Sequence, residues 1–114
     1  MRCDIVLLVE NIDVCRYFYR ETVGLGEPEV DSSFTVSFRL GENVSLILEK
    51  CDLPYLSHTS SACRFRLSVD DPEPLRCRMR QNGTPLTEEF SRSGETVWRG
   101  IDPEGNCFSV RKNV

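Results

Sequence analysis

The stretch DIVLLVENIDVCRYFYRETVGLG, running from Asp4 to Gly26, decides the fold. Together with Cys3, its opening up to Val9 is strongly apolar and reads as a buried strand. Asn11 then serves as a helix N-cap, because its side-chain oxygen can accept from a first-turn N–H that has no partner within the helix. A helix over about 12–22 follows, with Val14, Phe18 and Tyr17 or Tyr19 giving one apolar side. Gly24 stops it, since a left-handed cap position favours glycine.

Downstream, Glu27 to Asp31 reads as a short edge strand, where Pro28 is tolerable. Phe34, Val36, Phe38 and Leu40 alternate with Thr35, Ser37 and Arg39, the period of a half-buried strand. Gly41-Glu42-Asn43 turns the chain into another strand, Val44 to Glu49. Residues 51–62, with Pro54, His58 and a Ser/Thr cluster, read as a linker. The same order then starts again. Phe65, Leu67 and Val69 alternate in a strand, and Asp71 caps a helix whose first turn admits Pro72. Leu75 and Met79, four apart, supply that helix's apolar side, and Asn82-Gly83 stops it. Strands over about 85–90, Glu95 to Ile101 and Cys107 to Lys112 complete the second half, with a turn at Asp102 to Asn106. Val9-Glu10-Asn11 in the first half answers to Val69-Asp70-Asp71 in the second, each closing a strand before a helix. One helix per half covers one face of a sheet, so the other face needs a partner or a ligand.

The 114 residues suit one domain, and 39% hydrophobic with 28% charged residues is an ordinary globular balance. A net charge of −4 gives no electrostatic reason to seek nucleic acid or an anionic membrane. No apolar run approaches the roughly 20 residues that span a bilayer. The first run, Ile5 to Val9, is too short for a signal-peptide core and is flanked by acids, so a soluble cytoplasmic protein is expected. The six cysteines (Cys3, Cys15, Cys51, Cys63, Cys77, Cys107) show no CxxC spacing and no paired His. Reduced, mostly buried structural thiols are expected in place of a zinc site.

Two segments carry a family likeness. The opening stretch, with Phe18-Tyr19 followed by Gly24, resembles the first strand and helix of the vicinal oxygen chelate superfamily. That superfamily includes glyoxalase I, bleomycin-resistance proteins, fosfomycin-resistance enzymes and extradiol dioxygenases. RGIDPEGNCFSV, Arg99 to Val110, resembles its closing hairpin, whose Asp-Pro-x-Gly-Asn turn is its most specific local mark. The resemblance spans nearly the whole chain. It implies an α+β fold in a single 1–114 domain: two βαβββ modules, about 1–50 and 63–114, whose curved mixed sheets surround a cup. It also implies four ligands for a divalent metal, one from the first and one from the last strand of each half, normally His, Gln or Glu. Carried onto this chain, those positions are Asp4, Leu46, Arg64 and Ser109. Leu46 has no donor atom, Arg64 brings a permanent positive charge, and Ser109 stands where the family has glutamate. One carboxylate does not hold a catalytic ion, so no metal and no cofactor are expected.

If Asp4 faces the cup, strand alternation sends Val6 and Leu8 there too. The inward sets of the other strands are then Val44, Leu46 and Leu48; Arg64, Arg66 and Ser68; and Cys107, Ser109 and Arg111. The resemblance places Arg99 inward as well. The first half thus offers an apolar wall and the second an arginine-rich one. One reading is a pocket for a small organic anion, the arginines pairing a carboxylate or phosphate. The other is internal neutralisation, with an Asp4–Arg64 salt bridge filling a vestigial site. Arg39 could join either. Trp98 either stacks a planar ligand or belongs to a core or interface. His58 as a general base competes with a solvated linker histidine, and Cys107 as a nucleophile has no base that can be named. Residues 91–96 read as a mobile loop at the cup mouth.

The leading expectation is metal-free binding of a small organic molecule, an anion on the arginine reading, by a protein of the bleomycin-resistance type. The alternatives are a lyase, isomerase or dioxygenase-type enzyme with a non-standard site, and a non-catalytic protein-interaction scaffold. The short chain and its module edges, with the resemblance, lead to a homodimer that partners neither nucleic acid nor membrane.

Overall fold

The apolar run at the start of the chain forms β1, Cys3–Val9, in a computed structural model that describes residues 1–52 and 63–113. Asn11 caps α1, Ile12–Tyr17, and its Oδ1 accepts from the Val14 N–H at 3.2 Å. From Phe18 the helix widens into a π-type turn, Phe18–Thr22, in which the Val23 N–H donates to the Phe18 carbonyl at 2.8 Å. Gly24 follows at φ +87°, the left-handed conformation that ends the segment. The side it buries comprises Ile12, Cys15, Phe18, Tyr19, Thr22 and Val23, whereas Val14 and Tyr17 are exposed. Phe18 and Tyr19 of the expected apolar side are buried, and Val14 and Tyr17 are corrected. A stripe that starts at Ile12 runs through Cys15 to Tyr19, and the wider turn carries it on to Thr22 and Val23.

β2 (Val30–Asp31), β3 (Thr35–Gly41) and β4 (Val44–Lys50) complete a sheet in the order β1-β4-β3-β2. β1 runs parallel to β4, and the other two pairings are antiparallel. The two-residue β2 is tied down by Arg16. Its Nε donates to Asp31 Oδ1 at 2.7 Å, Nη1 to Asp13 Oδ1 at 2.6 Å and Nη2 to the Ser32 carbonyl at 2.8 Å. The hydrogen bond to Asp13 above all holds this guanidinium above its ordinary pKa; burial opposes the rise, and the bond and field of Asp31 add to it.

The second sheet repeats the plan. β5 (Phe65–Val69) leads to α2 (Glu73–Gln81), then β6 (Thr87–Phe90), β7 (Thr96–Ile101) and β8 (Cys107–Lys112), in the order β5-β8-β7-β6. β5 is parallel to β8 and the rest is antiparallel. Asp71 Oδ1 accepts from the Glu73 N–H at 3.1 Å as Pro72 enters α2, whose buried pair is Leu75 and Met79. Residues 91–95 link β6 to β7 through a hydrogen-bonded turn, with the Ser91 N–H donating to the Glu95 carbonyl at 2.8 Å.

The chain therefore has an α+β fold of two four-stranded mixed sheets, each in βαβββ order. It divides into two compact units, Met1–Ser60 and Ser61–Val114. Most of the expected linker, His58 included, lies outside the described residues. Among the described residues no disulfide joins the cysteines. Cys15 alone is buried, while Cys3, at the start of β1, and Cys63, two residues before β5, are exposed, which corrects the expectation of mostly buried thiols. Among the described residues no helix is long and apolar enough to cross a membrane.

Candidate functional site

Strand pairing decides which side chains share a face, because residues opposite each other in a ladder point the same way. In the first sheet Asp4 lies opposite Ser45, Val6 opposite Ile47 and Leu8 opposite Glu49. Leu46 lies opposite Ile5 and Phe38, and Leu48 opposite Leu7 and Val36. Leu46 and Leu48, both at 0% exposure, therefore belong to the face on which α1 packs, not to the face of Asp4. This corrects the wall expected from the sequence. The helix-free face of the first sheet is Asp4, Val6 and Leu8 with Ser45, Ile47 and Glu49. It is more polar than expected, and Ser45 and Glu49 were the signal that marked its parity. On it Arg2 bridges Asp4, at 3.1 Å, and the buried Ser45 hydroxyl, at 2.7 Å. Arg39, on the same face, pairs with Glu29 at 3.4 Å.

The second sheet does collect the expected arginines. Arg66 and Arg99 both lie opposite Ser109, and Arg111 lies opposite Ser68 on the same face. Arg64, two residues before Arg66, shares their parity. Arg64 pairs with Glu89 at 3.2 Å, Arg99 with Glu89 at 3.5 Å and Arg111 with Glu95 at 3.5 Å. Arg66 instead donates through Nε to the Ser109 hydroxyl at 3.0 Å, and Ser109 is fully buried. Trp98 lies opposite Val110, on the other face, with the Arg76 guanidinium of α2 4.9 Å from its ring centroid. The register thus removes Trp98 from the arginine face, since it neighbours Arg99 in a period-two strand. Its Nε1 is buried with no hydrogen-bond partner among the described residues.

A depression of about 330 Å³ adjoins this face, lined by Thr84, Pro85, Thr87, Arg99, Ile101 and Asp102. Thr87 lies opposite Arg99 and Ile101 opposite Cys107, so both share the parity of Arg99. Sequence reading missed Thr84, Pro85, Thr87 and Ile101. Counting back from the turn at 91–95 would have paired Thr87 with Arg99. Asp102 is buried, and its carboxylate is taken by its own turn: Oδ1 accepts from the N–H groups of Glu104 and Asn106 at 2.9 and 2.8 Å, and Oδ2 from Asn106 Nδ2 at 3.0 Å.

Matching the two parallel ladders from their ends puts Ile47, not Leu46, at the place in the first unit that Ser109 holds in the second. The positions to test for a divalent metal are thus Asp4, Ile47, Arg64 and Ser109. Asp4 is engaged by Arg2, Ile47 has no donor atom, Arg64 is a fixed cation and Ser109 accepts from Arg66. Neither unit's pair fits a divalent cation. Among the described residues no group of three or more His, Cys, Asp or Glu could hold a metal ion. The expected Asp4–Arg64 bridge would join different units; within its own unit Asp4 pairs with Arg2, and Arg64 with Glu89. What the arginine face offers chemically is charge pairing and hydrogen bonding to oxyanions.

No protein-family model and no curated protein matches the sequence. Solved structures match over nearly its whole length. An antibiotic-binding protein from Streptomyces sp. CB03234 aligns at a TM-score of 0.77 and 18% identity, covering 100% of this chain and 96% of that one. Lactoylglutathione lyase from Agrobacterium tumefaciens aligns at 0.73 and 19% identity, covering 99% and 93%. The bleomycin-binding protein of bleomycin-producing Streptomyces verticillus, solved with copper(II)-bleomycin, aligns at 0.72 and 16% identity, covering 100% and 97%. At such identities the likeness is one of fold.

Proposed function

We propose that this chain, whose fold is that of the glyoxalase/bleomycin-resistance proteins, is a vicinal oxygen chelate superfamily member that binds a small organic anion without a metal. Arg66 carries the reading. The other three arginines on its face have carboxylate partners, whereas among the described residues Arg66 makes no ion pair and has the neutral Ser109 hydroxyl as its partner. A guanidinium held through one N–H by a buried hydroxyl keeps its other donors for a ligand. A carboxylate or phosphate is the group that its planar fork matches. The depression beside Arg99 gives the carbon part of such a ligand apolar cover from Pro85 and Ile101 and hydroxyls from Thr84 and Thr87. Neighbours whose names describe binding of an antibiotic and of bleomycin support a binding role for the fold.

Calorimetric titration with benzoate and phenyl phosphate tests the reading. The wild type is expected to bind at least one of them. Arg66→Ala is expected to weaken that binding by about tenfold or more, the size of one charge-assisted hydrogen bond, while leaving the melting temperature in place. Equal affinity in the variant removes the reading. Elemental analysis of the purified protein addresses the metal-free part, and stoichiometric nickel, zinc, iron or manganese would overturn it.

A further inference from the structure

We infer that Glu89 is a specificity-determining residue: its carboxylate fills the anion seat between Arg64 and Arg99 and so restricts the face to ligands with one anionic group, held at Arg66. The inference rests on the anion-binding reading above. Glu89 reaches from the edge strand β6 and uses a different oxygen for each arginine, Oε2 toward Arg64 Nη1 at 3.2 Å and Oε1 toward Arg99 Nε at 3.5 Å. One carboxylate thus bridges two guanidiniums, which is how an organic carboxylate would sit there. Glu89 lies two residues along β6 from Thr87, which lines the depression together with Arg99. The three side chains are 31–37% exposed, so these are solvent-screened pairs that a competing anion can displace.

Spacing sets the consequence. Arg99, Ser109 and Arg66 lie side by side across β7, β8 and β5. Two inter-strand steps of about 4.8 Å separate the Arg66 and Arg99 backbones by roughly 10 Å. A planar molecule with a carboxylate at each end can therefore address Arg66 with one group and the Arg64–Arg99 seat with the other. In the wild-type protein its second carboxylate meets Glu89, a like charge. Glu89→Gln keeps the shape and removes that charge.

Calorimetric titration with benzoate (one carboxylate) and terephthalate (two) tests the inference on wild type, Glu89→Gln, Arg66→Ala and the double variant Glu89→Gln/Arg99→Gln. Glu89→Gln is expected to tighten terephthalate binding about tenfold and benzoate binding less than about threefold, and the double variant to lose the gain. An unchanged terephthalate affinity, or an equal gain for both ligands, overturns the role of Glu89 and leaves the Arg66 reading in place if Arg66→Ala still weakens benzoate. Absence of binding by both wild type and Glu89→Gln overturns the two together. Melting temperatures within a few degrees of wild type confirm that the variants compared are folded.

Discussion

At the scale of single residues, Gly100 shows how closely the site is tied to the packing beneath it. A Cβ at this position would stand 2.7 Å from Phe108 Cε1 and 2.9 Å from Leu86 Cδ2. Phe108 cannot yield easily, because it is fully buried and stacks on Phe65 with ring centroids 5.5 Å apart. Gly100→Ala is expected to cost about 1–3 kcal/mol of stability, the usual range for overpacking, read as a lower urea midpoint at unchanged slope. An unmoved midpoint would contradict the close approach. Gly100 stands between Arg99 and Ile101, both of which line the depression, so weaker anion binding should accompany the loss. At this scale the sequence put the arginines and Ser109 on one face, as the register does, but put Leu46 and Leu48 on the wrong face and left Trp98 open between ligand stacking and a core or interface. The reason is physical. β4 carries apolar residues at both parities, and which parity faces the helix is decided by its pairing with β1 and β3, a non-local fact.

At the scale of elements, β2 is too short to hold its place by its ladder alone, and Arg16 supplies the rest. Asp13 is largely exposed and Asp31 nearly half exposed, so solvent screening keeps the contribution of these pairs to about 1 kcal/mol. Arg16→Ala is expected to speed hydrogen exchange in β2 and its flanks while the amides of β1 and β4 keep their protection; unchanged exchange at β2 would contradict the clamp. The pKa of Arg16 is raised in the folded state, so its stabilisation is complete at lower pH and is lost only as pH rises through the guanidinium's own titration. The difference in stability between wild type and variant should therefore be flat from pH 7 to pH 9 in denaturant unfolding, and a steep slope there would assign the clamp to another group. The Asn11 cap, the Gly24 stop and the alternation of β3 were readable because each is a local rule. The π-type turn at Phe18–Thr22 was not, since one added residue leaves no mark in composition and shows only in the buried side running on to Thr22 and Val23.

At the scale of the whole molecule, the same strand order appears twice, which the repeated strand–helix–glycine signals foretold. The helix-free faces differ in kind. The first combines Asp4, Val6, Leu8, Ser45, Ile47 and Glu49, and the second sets the four arginines against Glu89 and Glu95. A chain with a net charge of −4 has thus gathered surplus positive charge on one face of one sheet. That local field, more than the overall charge, governs which small ions approach it. Among the described residues of its own unit, each sheet ends in strands paired on one side, β1 and β2 in one and β5 and β6 in the other, which suits the homodimer expected from the sequence. Light scattering after size exclusion is expected to give twice the 13.1 kDa chain mass, and a chain-sized mass would exclude the homodimer.

The measurement that bears most directly on the anion-binding face is amide chemical-shift mapping of the isotopically labelled protein during titration with benzoate. Saturable shifts are expected along β5, β7 and β8, centred on Arg66, Arg99 and Ser109, and in Arg66→Ala they are expected to need about tenfold more benzoate or more. Shifts confined to the α1 or α2 sides of the sheets, or a Ser109 amide that stays still while the ligand saturates elsewhere, would contradict the assignment.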